Sequence, residues 1–232
     1  MNKSDKLTVG EIVANDFRAA SIFKNAGIDF CCGGKRSLSE TCEEKGINPA
    51  TLEKELKELE KEPLSPSLSF KDWDPGFLSD YIMNTHHKFV LKNLPELVFY
   101  TQKIASVHGG HHAELIEIAE LFAKINQELL QHLKNEEEVL FPAIKKALAS
   151  NSADIKETII SEISRMTGEH EFAGGAMDRI SEISNHYLVP ADGCNTYAVT
   201  YKLLQQFEDD LHIHVHLENN ILYPKALSLA EA

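Results

Sequence analysis

His132 and Glu136 stand four residues apart, as do His214 and Glu218, and each pair runs into nearly the same tail. EEVLFP follows Glu136 and NNILYP follows Glu218, so Pro142 and Pro224 each fall six residues past their glutamate. Residues i and i+4 of an α-helix lie on one face, so each pair presents an imidazole and a carboxylate together. One such pair carries little weight, because His and Glu meet at that spacing by chance. Its repetition is what constrains the chain. His87 lies 45 residues before His132, and His170 lies 44 residues before His214. Each half therefore reads as a lone histidine on one helix followed by the His–Glu pair on the next, an internal duplication of a helical hairpin with approximate twofold symmetry.

The remaining sequence fits this frame and is helical throughout, with no convincing period-2 run. Helices are expected over about 74–108, with a kink at Pro95, and over about 111–148, 153–185 and 196–227. Gly109 and Gly110 break the chain between the first two. Four long helices with short breaks predict an up-down four-helix bundle. Ahead of it, residues 1–62 read as a small helical module. Its elements are a helix over 8–27 stopped at Gly27, a capping box at Ser37 and Glu40, and a helix opened by Asn48 and Pro49. Residues 63–73, rich in Pro and Ser, read as a linker that permits the module to move relative to the bundle over 74–232.

The predicted site residues point inward. Leu129, Ile125, Phe122 and Ile118 share the face of His132, Leu211, Phe207 and Leu204 that of His214, and Met166, Ile163 and Ile159 that of His170. A buried polar group without a partner is costly, so these histidines and glutamates need a reason to be there. Satisfied hydrogen bonding would explain one pair; the duplicated set of four imidazoles and two carboxylates favours a metal. The absence of thiolate disfavours zinc–thiolate and iron–sulfur sites, and the imidazoles exclude an all-oxygen calcium or magnesium site. Imidazoles with two carboxylates able to bridge suit a dinuclear centre. Non-haem di-iron is the first expectation, with di-manganese or iron–manganese behind it. Glu136 and Glu218 are expected to bridge, and His87, His132, His170 and His214 to be terminal ligands.

Helical phase sorts the other histidines. His212 and His216 flank His214 at ±2, roughly 200° round the helix, and are excluded from its face. Spacing selects His87 over the adjoining His86. His111 and His112 follow the double glycine and read as solvated or capping residues. His108 lies 21 residues beyond His87, some ~31 Å along a helix, and reads as structural or supporting rather than as a ligand.

With 232 residues, 43% of them hydrophobic, the chain can bury a core without disulfides. A formal net charge of −13 argues against nucleic acid and anionic membranes as partners. No stretch is apolar enough to span a bilayer, and the polar N-terminus does not read as a secretory signal. Four cysteines at irregular spacing do not form a disulfide framework, so a cytoplasmic protein with reduced thiols is expected. Cys31 and Cys32, followed by Gly33 and Gly34, read as a thiol site exposed at a helix end. A vicinal disulfide would strain the intervening peptide and is not expected at rest.

The chain resembles hemerythrin-like domains in its His-rich bundle. The CCGG turn ahead of HLKNEEEVLFP, the GEH segment and HVHLENNILYP is similar to the RIC family, di-iron proteins for repair of iron–sulfur clusters. In that family the ligands match His87, His132, Glu136, His170, His214 and Glu218 here. The resemblance implies two irons per chain, repair of clusters damaged by nitric oxide or oxidants, and a homodimer whose partners are damaged iron–sulfur proteins or the cluster-assembly machinery. It favours a functional role for Cys31 and Cys32, and a repair or iron-donor protein over an ordinary enzyme. A nitric oxide- or oxygen-reactive di-iron enzyme, or an oxygen-binding sensor, are the competing expectations.

Overall fold

A computed structural model describes residues 7–150 and 152–231; residues 1–6, Asn151 and Ala232 lie outside it, and with them the polar N-terminus read above. The described residues are helical, and their one β-bridge joins Thr8 to Ser37.

The N-terminal helices begin and end where local chemistry dictates. α1 (Val9–Asn15) opens on a capping box between Thr8 and Glu11. The single helix expected over 8–27 is in fact two, with α2 (Ala19–Asn25) following a break at Asp16. The Asp16 carboxylate accepts the Arg18 amide at 3.0 Å and its guanidinium at 2.9 and 2.6 Å, offering the backbone an alternative to helix. The same guanidinium reaches the carbonyls of Leu59 and Glu62 at 2.8 and 3.1 Å, tying both ends of the module together. Gly27, at φ 65°, ends α2 as expected. α3 (Leu38–Lys45) has the Ser37–Glu40 capping box, and α4 (Pro49–Leu59) starts at the Asn48 cap.

The bundle follows. Asp74 caps α5 (Pro75–Ile82), a π-turn spans Met83–His87, and α6 (Lys88–His108) continues through Pro95. The irregular winding of this helix thus falls at His87, ahead of the proline where a kink was expected. α7 (Glu114–Asn135), a π-turn at Glu136–Leu140 and α8 (Phe141–Ala149) form the second long helix. α9 (Ala153–Ile183) is the third, without a π-turn. α10 (Asn195–Leu217), a π-turn at Glu218–Leu222 and α11 (Tyr223–Glu231) form the fourth. α6 packs on α7 and α10, α7 on α9, and α5 on α8, giving the antiparallel bundle.

Two apolar layers bracket the middle of the bundle. Leu129, Leu133, Phe207 and Leu211 lie on one side of the predicted site residues, and Leu140, Phe141, Met166 and Leu222 on the other. The first layer is continuous with Val9, Phe23, Phe30 and Leu38 of the N-terminal module. Module and bundle therefore share a core in this structure. The segment over 63–73 is itself anchored. Phe70 is buried, its ring 5.1 Å from Phe17 and 4.7 Å from Trp73, and Lys71 bonds Asn15.

Candidate metal centre

The six predicted residues converge in the polar layer. His87, Glu136, His214 and Glu218 form one group, and His132, Glu136, His170 and Glu218 another, with the donor atoms of each group within 4.8 Å of one another. Both carboxylates belong to both groups, and each imidazole to one. All six residues are at most 1% exposed. His132 and His170 face each other Nε2 to Nε2 at 3.1 Å; His87 Nε2 lies 3.4 Å from Glu136 Oε2, and His214 Nε2 lies 3.0 Å from Glu218 Oε1. Three of the four long helices place their site residue on a π-turn: His87, Glu136 and Glu218. Such bulges recur at functional sites, where the wider turn re-aims a side chain.

A second layer of bonds orients the rings. His87 Nδ1 lies 2.8 Å from Glu137, His132 Nδ1 2.7 Å from Glu169, and His170 Nδ1 3.0 Å from Asn219. Each partner accepts the Nδ1 proton and so fixes Nε2 toward the centre, where it would become a metal donor on giving up its own proton. The twofold duplication extends to this layer, because Glu137 and Asn219 each directly follow a shared glutamate. It extends to the tails as well: Phe141 stacks on His87 and Tyr223 on His170. It fails at two places. The Tyr223 hydroxyl donates to Glu136 Oε1 at 2.7 Å, which Phe141 cannot do for Glu218. His86 stands where Glu169 stands in the other half; it stacks on His214 and turns Nδ1 to Asp210 at 3.0 Å, leaving His214 Nδ1 without a hydrogen bond. Sequence reading missed Glu137, Glu169, Asn219 and Tyr223, although the duplication marks Glu137 and Asn219.

Electrostatics keeps this layer ionised. Burial opposes charge on His87 and His132, yet the adjoining Glu136 and Glu218 carboxylates carry both imidazoles up to about 10. Burial and the Glu218 charge would raise Glu136; His132 and His87 outweigh them and hold it at about 2. Glu218 is likewise held low by His214 and His170 against its burial. For His214 burial wins, and its pKa falls. His87 Nε2, Glu136 Oε2 and Glu218 Oε2 still have no hydrogen-bond partner despite their close neighbours. Orphaned nitrogen and carboxylate donors aimed at one buried space are what a metal would satisfy, and the residues fit one.

The cysteine turn lies against this centre. Asp29 accepts the amides of Cys31, Cys32 and Gly33 at 2.8, 3.1 and 2.6 Å. Asn220, two residues after Glu218, donates to the carbonyls of Phe30 and Cys31, both at 3.2 Å. Gly10 and Gly34 permit this docking: the Gly10 amide meets the Gly34 carbonyl at 2.8 Å, and a Cβ on Gly34 would stand 2.6 Å from the Phe30 carbonyl. Cys32 Sγ rests 3.4 Å from the His170 carbonyl. Cys31 is buried, not exposed as expected, and both its hydrogen bond with Cys32 and its burial push its thiol up. The two sulfurs are 3.8 Å apart and free.

The remaining histidines take other roles. His216 Nδ1 lies 3.4 Å from the Phe30 carbonyl, and His112 pairs with Asp192 and Glu114 at the far end of the bundle. His108 Nε2 meets Cys194 Sγ there at 3.2 Å.

Residues 79–226 match the family model described as the hemerythrin HHE cation binding domain, and residues 5–60 match a domain of unknown function, ScdA_N. The iron-sulfur cluster repair protein YtfE of Pectobacterium atrosepticum is 34% identical over 223 residues, 95% of this chain and 96% of the relative. The chain belongs to the YtfE and ScdA family. YtfE of Enterobacter sp. is 32% identical over the same shares of both chains. ScdA of Staphylococcus haemolyticus, also named an iron-sulfur cluster repair protein, is 32% identical over 217 residues, 94% of this chain. The hemerythrin HHE part coincides with the bundle that carries the buried His and Glu groups able to hold a cation. Among the described residues no helix is long and apolar enough to cross a membrane.

Proposed function

We propose that this protein repairs iron–sulfur clusters damaged by nitric oxide or oxidants, supplying iron from a dinuclear centre. The observation that carries this reading is the pair of four-residue groups sharing Glu136 and Glu218, in a chain whose relatives are named for cluster repair. One metal would take His87 and His214, the other His132 and His170, with both carboxylates common to the two. Bound iron supplies exchangeable metal and one-electron chemistry. The protein supplies a buried layer between apolar shells, ionised carboxylates, and rings oriented by Glu137, Glu169 and Asn219. The cysteine turn, seated on the helix that carries His170, gives a thiol face beside the centre through which metal could be passed by ligand exchange. The damaged iron–sulfur proteins or the assembly machinery are the proposed partners, the cytoplasm the proposed location, and a homodimer the proposed state in solution.

Metal analysis of protein from iron-replete cells should give about two irons per chain, the complement of di-iron bundles. Zinc at full occupancy without iron would overturn the assignment. Because module and bundle share a core, the thiol role is tested in the full chain. Replacing Cys31 and Cys32 by alanine should keep iron and impair recovery of a cluster-dependent enzyme after nitric oxide exposure. Undiminished recovery, with rapid multi-turnover consumption of nitric oxide, would instead establish a diatomic-reactive enzyme.

A further inference from the structure

The phase that removes His212 from the dinuclear centre directs it elsewhere. Glu208 precedes His212 by four residues on α10, so the two share a face that turns toward α9 and the N-terminal module. Asp178 of α9 completes the group: one donor atom from each of the three lies within 4.8 Å of the others. None of the three hydrogen-bonds another, and among the described residues neither carboxylate forms an ion pair with Lys or Arg; the nearby Lys24 pairs with Asp209.

The group opens on a cavity of about 680 Å³, and two further observations mark it as a place for a ligand. Glu208 is only 8% exposed, a carboxylate sunk into the cavity wall. Tyr187, also on that wall and 8% exposed, buries its hydroxyl near Glu208 and Ser181 without a well-formed hydrogen bond to either. A second cavity of about 270 Å³ shares Asp29, Asp178 and His212 with the first and reaches Cys31 and Cys32. Asp29, Cys31 and Cys32 themselves bring donor atoms within 4.8 Å of one another.

We infer that Asp178, Glu208 and His212 form a second, mononuclear site for a divalent transition ion, an outer station on the path between solvent and the cysteine turn. One imidazole and two carboxylates suit Fe(II), Mn(II), Co(II) or Zn(II), and three protein ligands leave positions for water or an incoming thiolate. Burial and the Asp178 charge push Glu208 up to about 7, as expected of carboxylates crowded together without a cation. A bound ion would supply the missing positive charge. Fe(II) would enter and leave by ligand exchange, with no change of oxidation state. The site stands independently of cluster repair; its role as an iron station rests on the iron-supply reading above.

The test is an anaerobic Co(II) titration of the full-length, iron-loaded protein, read by visible absorption and equilibrium dialysis. The wild type should take up one ion beyond its iron, and Glu208→Gln and Asp178→Asn should each weaken that uptake by about tenfold or more with iron content unchanged. Asp178 is exposed, so its variant keeps the test valid should Glu208→Gln misfold. Equal Co(II) uptake by wild type and both variants overturns the site. If the core holds no iron at all, the iron-supply reading fails, while the difference in Co(II) uptake between wild type and variants still decides the outer site. Recovery of a cluster-dependent enzyme, measured on the same proteins, then tests the station: slower recovery by Asp178→Asn supports it, and unchanged recovery despite lost Co(II) overturns that role.

Discussion

The Tyr223 hydroxyl donates a 2.7 Å hydrogen bond to Oε1 of Glu136, across the twofold axis that relates the two halves of the bundle. Its counterpart Phe141 keeps the ring contact and lacks the hydroxyl, so the two shared carboxylates are inequivalent. Tyr223→Phe should fold, because a phenyl ring already serves in the other half. Losing this donor to a buried carboxylate oxygen should cost about 1–3 kcal/mol in the metal-free protein. Chemical denaturation of wild type and variant checks this.

The shared carboxylates should matter more to metal content than any one ring. Each of Glu136 and Glu218 belongs to both four-residue groups, whereas each histidine belongs to one. Glu136→Ala should therefore lose more iron per chain than His132→Ala, and the Glu136→Ala/Glu218→Ala double variant should hold almost none. His108→Ala should keep its iron, since its ring lies against Cys194 rather than in the centre. Metal analysis of the four proteins gives the ranking.

That same His108 contact should be legible in thiol chemistry. Cys194 caps α10, where the Tyr197 amide and then His108 lower its pKa to about 7. A depressed pKa means that the thiolate persists above about 7 and is lost as pH falls through it. Iodoacetamide alkylation of Cys194, followed by mass spectrometry, should rise with a midpoint near 7. In His108→Ala the midpoint should move up toward the ordinary value of about 8.5.

Gly174 gives a handle on the cysteine turn. A Cβ at this position would stand 3.0 Å from Cys32 Sγ, close enough to require the thiol to give way. Gly174→Val should push the turn off α9 and speed labelling of the buried Cys31 by a disulfide reagent. Unchanged labelling would mean that the turn yields without leaving its seat.

Phe70 anchors the segment between module and bundle. It is 4% exposed among Phe17, Trp73 and Tyr81, so Phe70→Ala should cost about 3–5 kcal/mol. Limited proteolysis over residues 60–73 should quicken in the variant.

The sequence alone determined what is local or repeated. Caps at Ser37, Asn48 and Asp74 hydrogen-bond amides two or three residues away, and the His-x3-Glu pairs are set by one helical turn. The duplication then made the bundle, its inward faces and the six converging residues legible before any coordinate. What joins different helices was decided only by tertiary structure. Glu169 reaches His132 across 37 residues, Tyr223 reaches Glu136 across 87, and Asn220 holds the Cys31 carbonyl across 189. Such contacts depend on how far each helix is rotated and advanced, and the π-turns at His87, Glu136 and Glu218 shift that phase; Pro142 and Pro224 follow two of them, but neither Pro nor Gly marks the turn at His87. The linker shows the same division. Its Pro and Ser composition announces a connection, but the apolar area around Phe17 and Phe70 holds it down, because burying aromatic surface outweighs the freedom that composition would allow.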